Sequence, residues 1–461
     1  MTRSITREIS EFVAGTSLDS VPQTAIQNVK RAFLDCLGVT LAGNTEPVAR
    51  IIVDFVAEMG GTASSTVLGT DLRTSPPLAA LANGTLAHAL DFDDGAGLHI
   101  PMHPTAPVLP AILALGEQLH ASGRRVLEAY ALGLEVEMKL ASSVAVTHYQ
   151  SGWHTTGTVG TLGAAVAAAK VLGLEVENTR VAFGIASSMA SGLRRNFGSM
   201  TKPFHAGNAA RNGVVAALLA RRGFTASSDI LEAQNGFYSV LAGPGNYDLE
   251  GLTPSTLAQF ALTSRGVTIK KYPSCYSTHT MVDSAIALAE EHDVVPEEIE
   301  RVVCDVTGVA PDVLVFSRPT TPLQGKFSAQ FCVATALVCR RLGLEHFSQE
   351  TVDDPVIRYV MERVEMRRCP DLEGGPVLAS IVTVHLRDGR EYSRRAEVPR
   401  GHWIEPLAWD EICNKFRMCA STVLPAENVE QIVEMAQDLE SLEDINVLTE
   451  MLASPAFHSS E

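Results

Sequence analysis

At 461 residues and 49.3 kDa, with 46% hydrophobic and 19% charged residues and a mean hydropathy of +0.11, the chain has the composition of a globular protein with two domains or one elaborated domain. A formal charge of -17 and a pI near 5.2 argue against a nucleic-acid or anionic-membrane surface, because both need clustered Lys and Arg. The same field repels anions, so a site for an anionic ligand needs a basic patch of its own.

The first residues, MTRSITREISEFVAGT, have no continuous apolar leader run; Ile5, Ile9, Phe12 and Val13 share one helical face. No stretch reaches the ~18 apolar residues of a membrane span. The eight cysteines are scattered without a CxxC pair, which reads as reduced, mostly buried thiols of a cytoplasmic protein. Asp19 and Ser20 are cap candidates, and Pro22 suits the first turn of a helix carrying Ile26, Val29, Phe33, Cys36 and Leu37 on one face. Helical periodicity recurs over 47–59, 77–90, 108–119, 126–144 and 160–172. The last of these, GTLGAAVAAAKVL, is made of small residues and belongs inside a dense helical core.

After Leu262 the texture changes. Residues 299–306 (IERVVCDV) and 378–386 (LASIVTVHL) are β-branched runs, the second pairing with 391–398 across the turn 387–390. Helical stretches at 278–291 and 327–342 accompany them, and the tail over 409–452 is helical again. The expected fold is mainly α: a large all-helical domain, 1–265 completed by 405–461, and a smaller α+β domain over 266–404.

Four clusters carry candidate chemistry. HALDFDDGAGLHIPMHP holds His88, Asp91, Asp93, Asp94, His99 and His103. Its spacing fits no standard zinc pattern, Asp93-Asp94-Gly95 suits a helix-terminating turn, and Asp91 with His103 suits a carboxylate fixing a histidine's tautomer. In GWHTT, His154 is either a packed histidine or an acid/base group, and the hydroxyls of Thr155 and Thr156 can cap the next helix.

The third cluster lies in an interval, 178–228, without one Asp or Glu, although the chain has 53. It holds Arg180, Arg194, Arg195, Lys202, Arg211, Arg221 and Arg222, which suit either a solvated basic helix face or an anion site. GSMTKPFHAGN reads as a turn placing Lys202 and His205 before a helix that begins near Ala209 and receives an anion at its N-terminus. The fourth, KKYPSCYSTH, joins Lys270, Lys271, Cys275 and His279 at a helix entrance; Cys275 is either a proton carrier or a small buried group.

Taken in order, HALDFDD…HPTAPVLPAI, GWHTTGTVGTLGAA, FGSMTKPFHAGNAARNG, KKYPSCYSTH and KFSAQFCVATAL resemble the MmgE/PrpD family over nearly the whole chain. The family's activities include 2-methylcitrate dehydration, cis-aconitate decarboxylation and iminodisuccinate epimerisation. The resemblance implies a helical domain, a smaller α+β lid domain, a cleft between them, a homodimer, and catalysis without metal or organic cofactor. It matches the family's active-site aspartate to Asp91, its histidines to His103 and His154, and its lysine to Lys202. Gly95, Cys275 and Phe331 stand where the family's decarboxylases are expected to carry threonine, histidine and tyrosine, and the PSCY and GWHT motifs are more similar to the epimerase branch.

The expected function is abstraction of a proton α to a carboxylate of a small di- or tricarboxylate, dehydratase-like. Epimerisation, decarboxylation and a catalytically silent carboxylate-binding protein are the alternatives. Asp91, His103, His154, Lys202 and Cys275 are the expected catalytic groups, and Arg194, His205, Arg211, Lys271 and His279 the expected substrate ligands.

Overall fold

The computed structural model describes residues 4–96, 100–264 and 266–454. The chain divides into two compact units, Met1–Thr268 with Ala408–Glu461, and Ile269–Leu407.

The first unit is helical: α1 Ile5–Gly15, α2 Gln23–Gly43, α3 Pro47–Met59, α4 Pro76–Ala89, α5 Thr105–Gln118, α6 Gly123–Gln150, α7 Thr155–Val171, α8 Val176–Met189 and α9 Thr201–Arg221. A two-stranded ribbon, β1 Ser65–Thr66 with β2 Arg73–Thr74, joins α3 to α4. The cap candidates Asp19 and Ser20 fall in a separate 3-10 turn, Leu18–Ser20, and Pro22 itself occupies the position before α2. Helix α6 is longer than its apolar periodicity, because Ser122 caps it by accepting the N–H of Arg125 and it runs on to Gln150.

Small residues decide how closely these helices meet. α4 lies against α9, and α7 lies against both α6 and α9. A Cβ on Gly207 would come 2.2 Å from the carbonyl oxygen of Leu81, and one on Gly84 would come 2.7 Å from the Cα of Gly207. A Cβ on Gly213 would meet the Cβ of Ala164 at 2.5 Å. These contacts correct the turn expected at 198–208: Lys202 and His205 lie inside α9, which starts at Thr201. Pro203 is tolerated because first-turn N–H groups have no intrahelical partner, and Gly207 serves a helix crossing rather than a bend.

The tail returns to this unit. Its helix Trp409–Ala420 covers α2, with Phe416 over Gly38 and the Lys415 ammonium 2.7 Å from the buried Asp35 carboxylate. Lys415 also donates to the carbonyl oxygen of Phe92 at 2.8 Å, which ties the tail to the loop after α4.

The second unit is built on a four-stranded sheet in the order β4-β3-β5-β6. Its strands are β3 Ile299–Val306, β4 Val364–Arg368, β5 Ser380–Leu386 and β6 Glu391–Ala396. β5 and β6 form the expected antiparallel hairpin; β4 runs parallel to β3. β4 escapes sequence reading because three of its five residues are charged, as suits a short edge strand. Helices His279–Glu291 and Ala329–Cys339 pack together, the first against β5 and β6 and the second against β4.

The helix crossing is testable. Gly207→Ala is expected to destabilise the protein by ~1–3 kcal/mol, because a Cβ at this backbone-to-backbone contact forces α4 and α9 apart. Urea denaturation measures it, and an unchanged midpoint contradicts the crossing.

Candidate active site

The ends of four helices of the first unit converge. α4 finishes at Ala89, and Asp91 follows with a φ of 53°, a left-handed conformation uncommon for a residue other than glycine. The next residues, Phe92, Asp93 and Asp94, are buried, and Gly95 pairs with Thr268 where the chain leaves the unit. His103 precedes α5, His154 is the residue before α7, and Lys202 and His205 stand in the first turns of α9. Three helix N-termini, those of α5, α7 and α9, therefore meet around these side chains. The dipoles of these N-termini favour a negatively charged ligand.

Lys202 reaches Asp91 with 2.5 Å between Nζ and Oδ1, both residues being buried. His103 Nε2 lies 3.7 Å from the same carboxylate oxygen. Asp91 therefore lies closer to the lysine than to His103, with which it was paired in sequence. The orientation of His103 comes from Asp93 and Asp94: His103 Nδ1 lies 2.8 Å from the carbonyl oxygen of Asp94 and 3.2 Å from Asp93 Oδ2. A carbonyl oxygen only accepts, so Nδ1 carries a proton, and Nε2 is the nitrogen turned toward Asp91. The N–H of His103 donates to Thr156 Oγ1 at 2.9 Å. The Thr156 hydroxyl thus holds His103, and the position before α7 has no side-chain cap.

His88, in the last turn of α4, completes the cluster. Its Nδ1 lies 2.8 Å from Asp93 Oδ2, and its ring lies 4.4 Å from that of His103 and 5.8 Å from that of His154. Burial lowers the pKa of His88 to about 3 against the opposing pull of Asp93, so the ring is neutral. Burial works to raise Asp93, but His88, His103 and their hydrogen bonds outweigh it and hold the carboxyl below its usual range. Asp94 differs: burial, with Asp93 and Asp35 nearby, pushes it up to about 8 although Thr105 donates to it through both its N–H and its hydroxyl. The Thr105 hydroxyl also meets the Tyr130 hydroxyl at 2.8 Å.

One atom from each of His88, Asp91, Asp93 and His103 falls within 4.8 Å of the others, a donor set that would suit a divalent cation. Such an ion would compete with the Lys202 ammonium for Asp91. His99, the third histidine of this stretch, lies outside the described residues.

The basic patch splits. Lys202 and His205 belong to the cluster, whereas Arg194 lies 3.8 Å above the Tyr149 ring and donates to the Tyr149 carbonyl, and Arg211 donates to Asn212 Oδ1. Cys275, Lys271 and His279 lie in the second unit. There the Cys275 N–H donates to the carbonyl of Lys326 at 2.9 Å, and Lys326 Nζ to the carbonyl of Pro273 at 3.1 Å. Lys271 lies 3.4 Å from Asp283, and the His279 ring lies against Tyr272 and Tyr276. Sequence reading placed His88 and Asp93 in a candidate cluster without giving His88 a role of its own and assigning Asp93 only to a turn, and it did not single out Lys326. A spacing of five across a helix end, His88 to Asp93, was the available signal for the first two.

A histidine-rich cluster that could also seat a divalent cation thus stands where three helix N-termini converge. The chain belongs to the MmgE/PrpD family: residues 7–250 match the MmgE/PrpD N-terminal domain and residues 272–441 the C-terminal domain. It is 32% identical to the cis-aconitate decarboxylase of Mus musculus over 99% of this chain and 95% of that protein. It is 32% identical to the Homo sapiens cis-aconitate decarboxylase over 99% and 96%. To the mitochondrial 2-methylcitrate dehydratase of Yarrowia lipolytica it is 24% identical, over 87% and 80%.

Asp94 supplies a pH test. Its folded-state pKa near 8 lies above its ordinary 3.8, so between these values the folded protein holds one proton more than the unfolded chain. That contribution is complete below about pH 4 and is lost as pH rises through about 8. Asp94→Asn is expected to remove the slope, so the variant gains on the wild type across this window. Urea melts at several pH values check this; a difference independent of pH contradicts a protonated Asp94.

Proposed function

We propose that the protein is a lyase that removes a proton α to a carboxylate of a small di- or tricarboxylate and expels a hydroxyl group as water. The observation that carries this reading is the buried Lys202 ammonium, held by Asp91 beside Nε2 of His103, where the N-termini of α5, α7 and α9 meet. The names of two relatives, a cis-aconitate decarboxylase and a 2-methylcitrate dehydratase, support a tricarboxylate-sized substrate.

Removing a proton next to a carboxylate places carbanion-like charge beside an existing negative charge. Lys202 and the dipoles of the helix N-termini face that charge, and one preorganised donor such as Lys202 contributes ~3–4 kcal/mol. His103 Nε2 takes the α-proton, a role worth about 10²–10⁴ in rate. His154 gives a proton to the departing hydroxyl, which leaves as water as the C=C bond forms. No step requires a metal.

A second reading is decarboxylation, favoured by the 32% identity to two cis-aconitate decarboxylases. In that reaction carbon dioxide leaves and the carbanion takes a proton from the same groups. Against it stand Gly95, Cys275 and Phe331, the last buried in apolar packing against Gly325 and Phe347.

Incubation of metal-stripped protein in D₂O with citrate, 2-methylcitrate, cis-aconitate and iminodisuccinate, followed by NMR, tests both readings. Deuterium next to a carboxylate together with hydration or dehydration products supports the first, and itaconate-type products with carbon dioxide support the second. Lys202→Ala and His103→Ala are each expected to slow exchange by ~10²-fold or more. Unchanged turnover in Lys202→Ala would falsify the assignment.

A further inference from the structure

His154, just before α7, and His205, within α9, come from distant parts of the chain, yet their Nδ1 atoms lie 3.0 Å apart. A ring nitrogen either donates or accepts, so this contact forms only when one Nδ1 carries a proton and the other does not. The surroundings keep both rings in place. Gly192, at a φ of 131°, runs past them: a Cβ there would stand 3.3 Å from His205 Cγ and 3.5 Å from His154 Cβ. Gly157 is equally close-set, its Cβ direction ending 3.3 Å from His205 Cβ and 2.3 Å from the Ser191 carbonyl. The His154 N–H donates to the Gly192 carbonyl at 3.0 Å, and the Phe197 ring meets His154 edge-on at 4.9 Å.

We propose that His205 is a positioning residue that sets the tautomer of His154, and so decides whether His154 Nε2 gives or takes a proton, rather than a ligand of the substrate. Burial, reinforced by Lys202, keeps both rings uncharged: His154 lies well below the usual histidine range and His205 is lowered to about 4. Two neutral imidazoles sharing one Nδ1–H are opposite tautomers. When His205 donates, His154 carries its proton on Nε2 and is an acid; when His154 donates, its Nε2 is a lone pair and it is a base.

The pair also completes a proton path. His205 is the more exposed ring, 8% against 1% for His154. As His154 Nε2 gives its proton to the leaving hydroxyl, His154 Nδ1 takes the Nδ1 proton of His205, and His205 Nε2 takes one from water. One solvent proton is delivered and both rings end neutral, with the tautomers exchanged.

This inference rests on the proposed role of His154 as proton donor, but its test begins without substrate. Long-range ¹H–¹⁵N NMR of histidine-labelled wild-type protein, assigned with single-histidine variants, is expected to show His154 and His205 in opposite neutral tautomers. In His205→Ala, His154 is expected to lose its single tautomer, and in His205→Asn, whose amide stands near the Nδ1 position, to recover one. With a turned-over substrate, His205→Ala is expected to lower kcat about tenfold or more with little change in KM, and His205→Asn to restore part of it. Like tautomers in the two rings, an unmoved His154 in His205→Ala, or a loss confined to KM overturns the proposal. If no carboxylate is turned over, the proposed function fails, while the tautomers still decide the role of His205.

Discussion

Lys202 and Asp91 are 96–97% buried, and the 2.5 Å contact between them is the constraint on which the rest of the site depends. An isolated ammonium or carboxylate at such a depth loses its hydration without compensation, so each group is admissible there because of the other. The pair also couples two distant pieces of chain, the loop after α4 and the first turn of α9, which lie 111 residues apart. Everything that places those two pieces therefore acts on the site: the Gly84–Gly207 crossing of α4 and α9, and the Lys415–Asp35 pair that ties the tail helix to the loop through Phe92.

The acidic residues beside Asp91 take separate roles. Asp93 is an anion between two imidazoles, and Asp94 is a neutral acid that accepts from Thr105 and, through its own backbone carbonyl, fixes His103. Three neighbouring aspartates of one motif are thus divided by burial and partner into an ion-pair carboxylate, a hydrogen-bonded carboxylate and a protonated carboxyl. The arrangement leaves His103 Nε2 3.7 Å from the Asp91 oxygen that holds Lys202, close to three helix N-termini.

Much of this was legible in the sequence. The helical domain followed from 3.6-residue periodicity, the hairpin of β5 and β6 from β-branched runs around a four-residue turn, and the site stretches from their titratable residues in an otherwise apolar setting. What was hidden depended on contacts between distant segments. Gly207 and its small neighbours read as a turn because glycine is ambiguous between a bend and a close helix crossing, and only the position of α4 decides. Asp91 was paired with His103 because a carboxylate can fix a histidine's tautomer, whereas its shorter contact, to Lys202, is made to another helix. The charged edge strand β4 carries no hydrophobic alternation, so nothing in its own residues marks it as a strand.

The central claim, that Asp91 and Lys202 act as one buried unit, is tested most directly by a double-mutant cycle of Asp91→Asn and Lys202→Met in urea denaturation. Each single change strands the other charge and is predicted to cost ~3–5 kcal/mol. The double variant strands neither, so its loss is predicted to fall short of the sum by at least ~1 kcal/mol. Strictly additive losses would contradict the pairing and, with it, the site built around it.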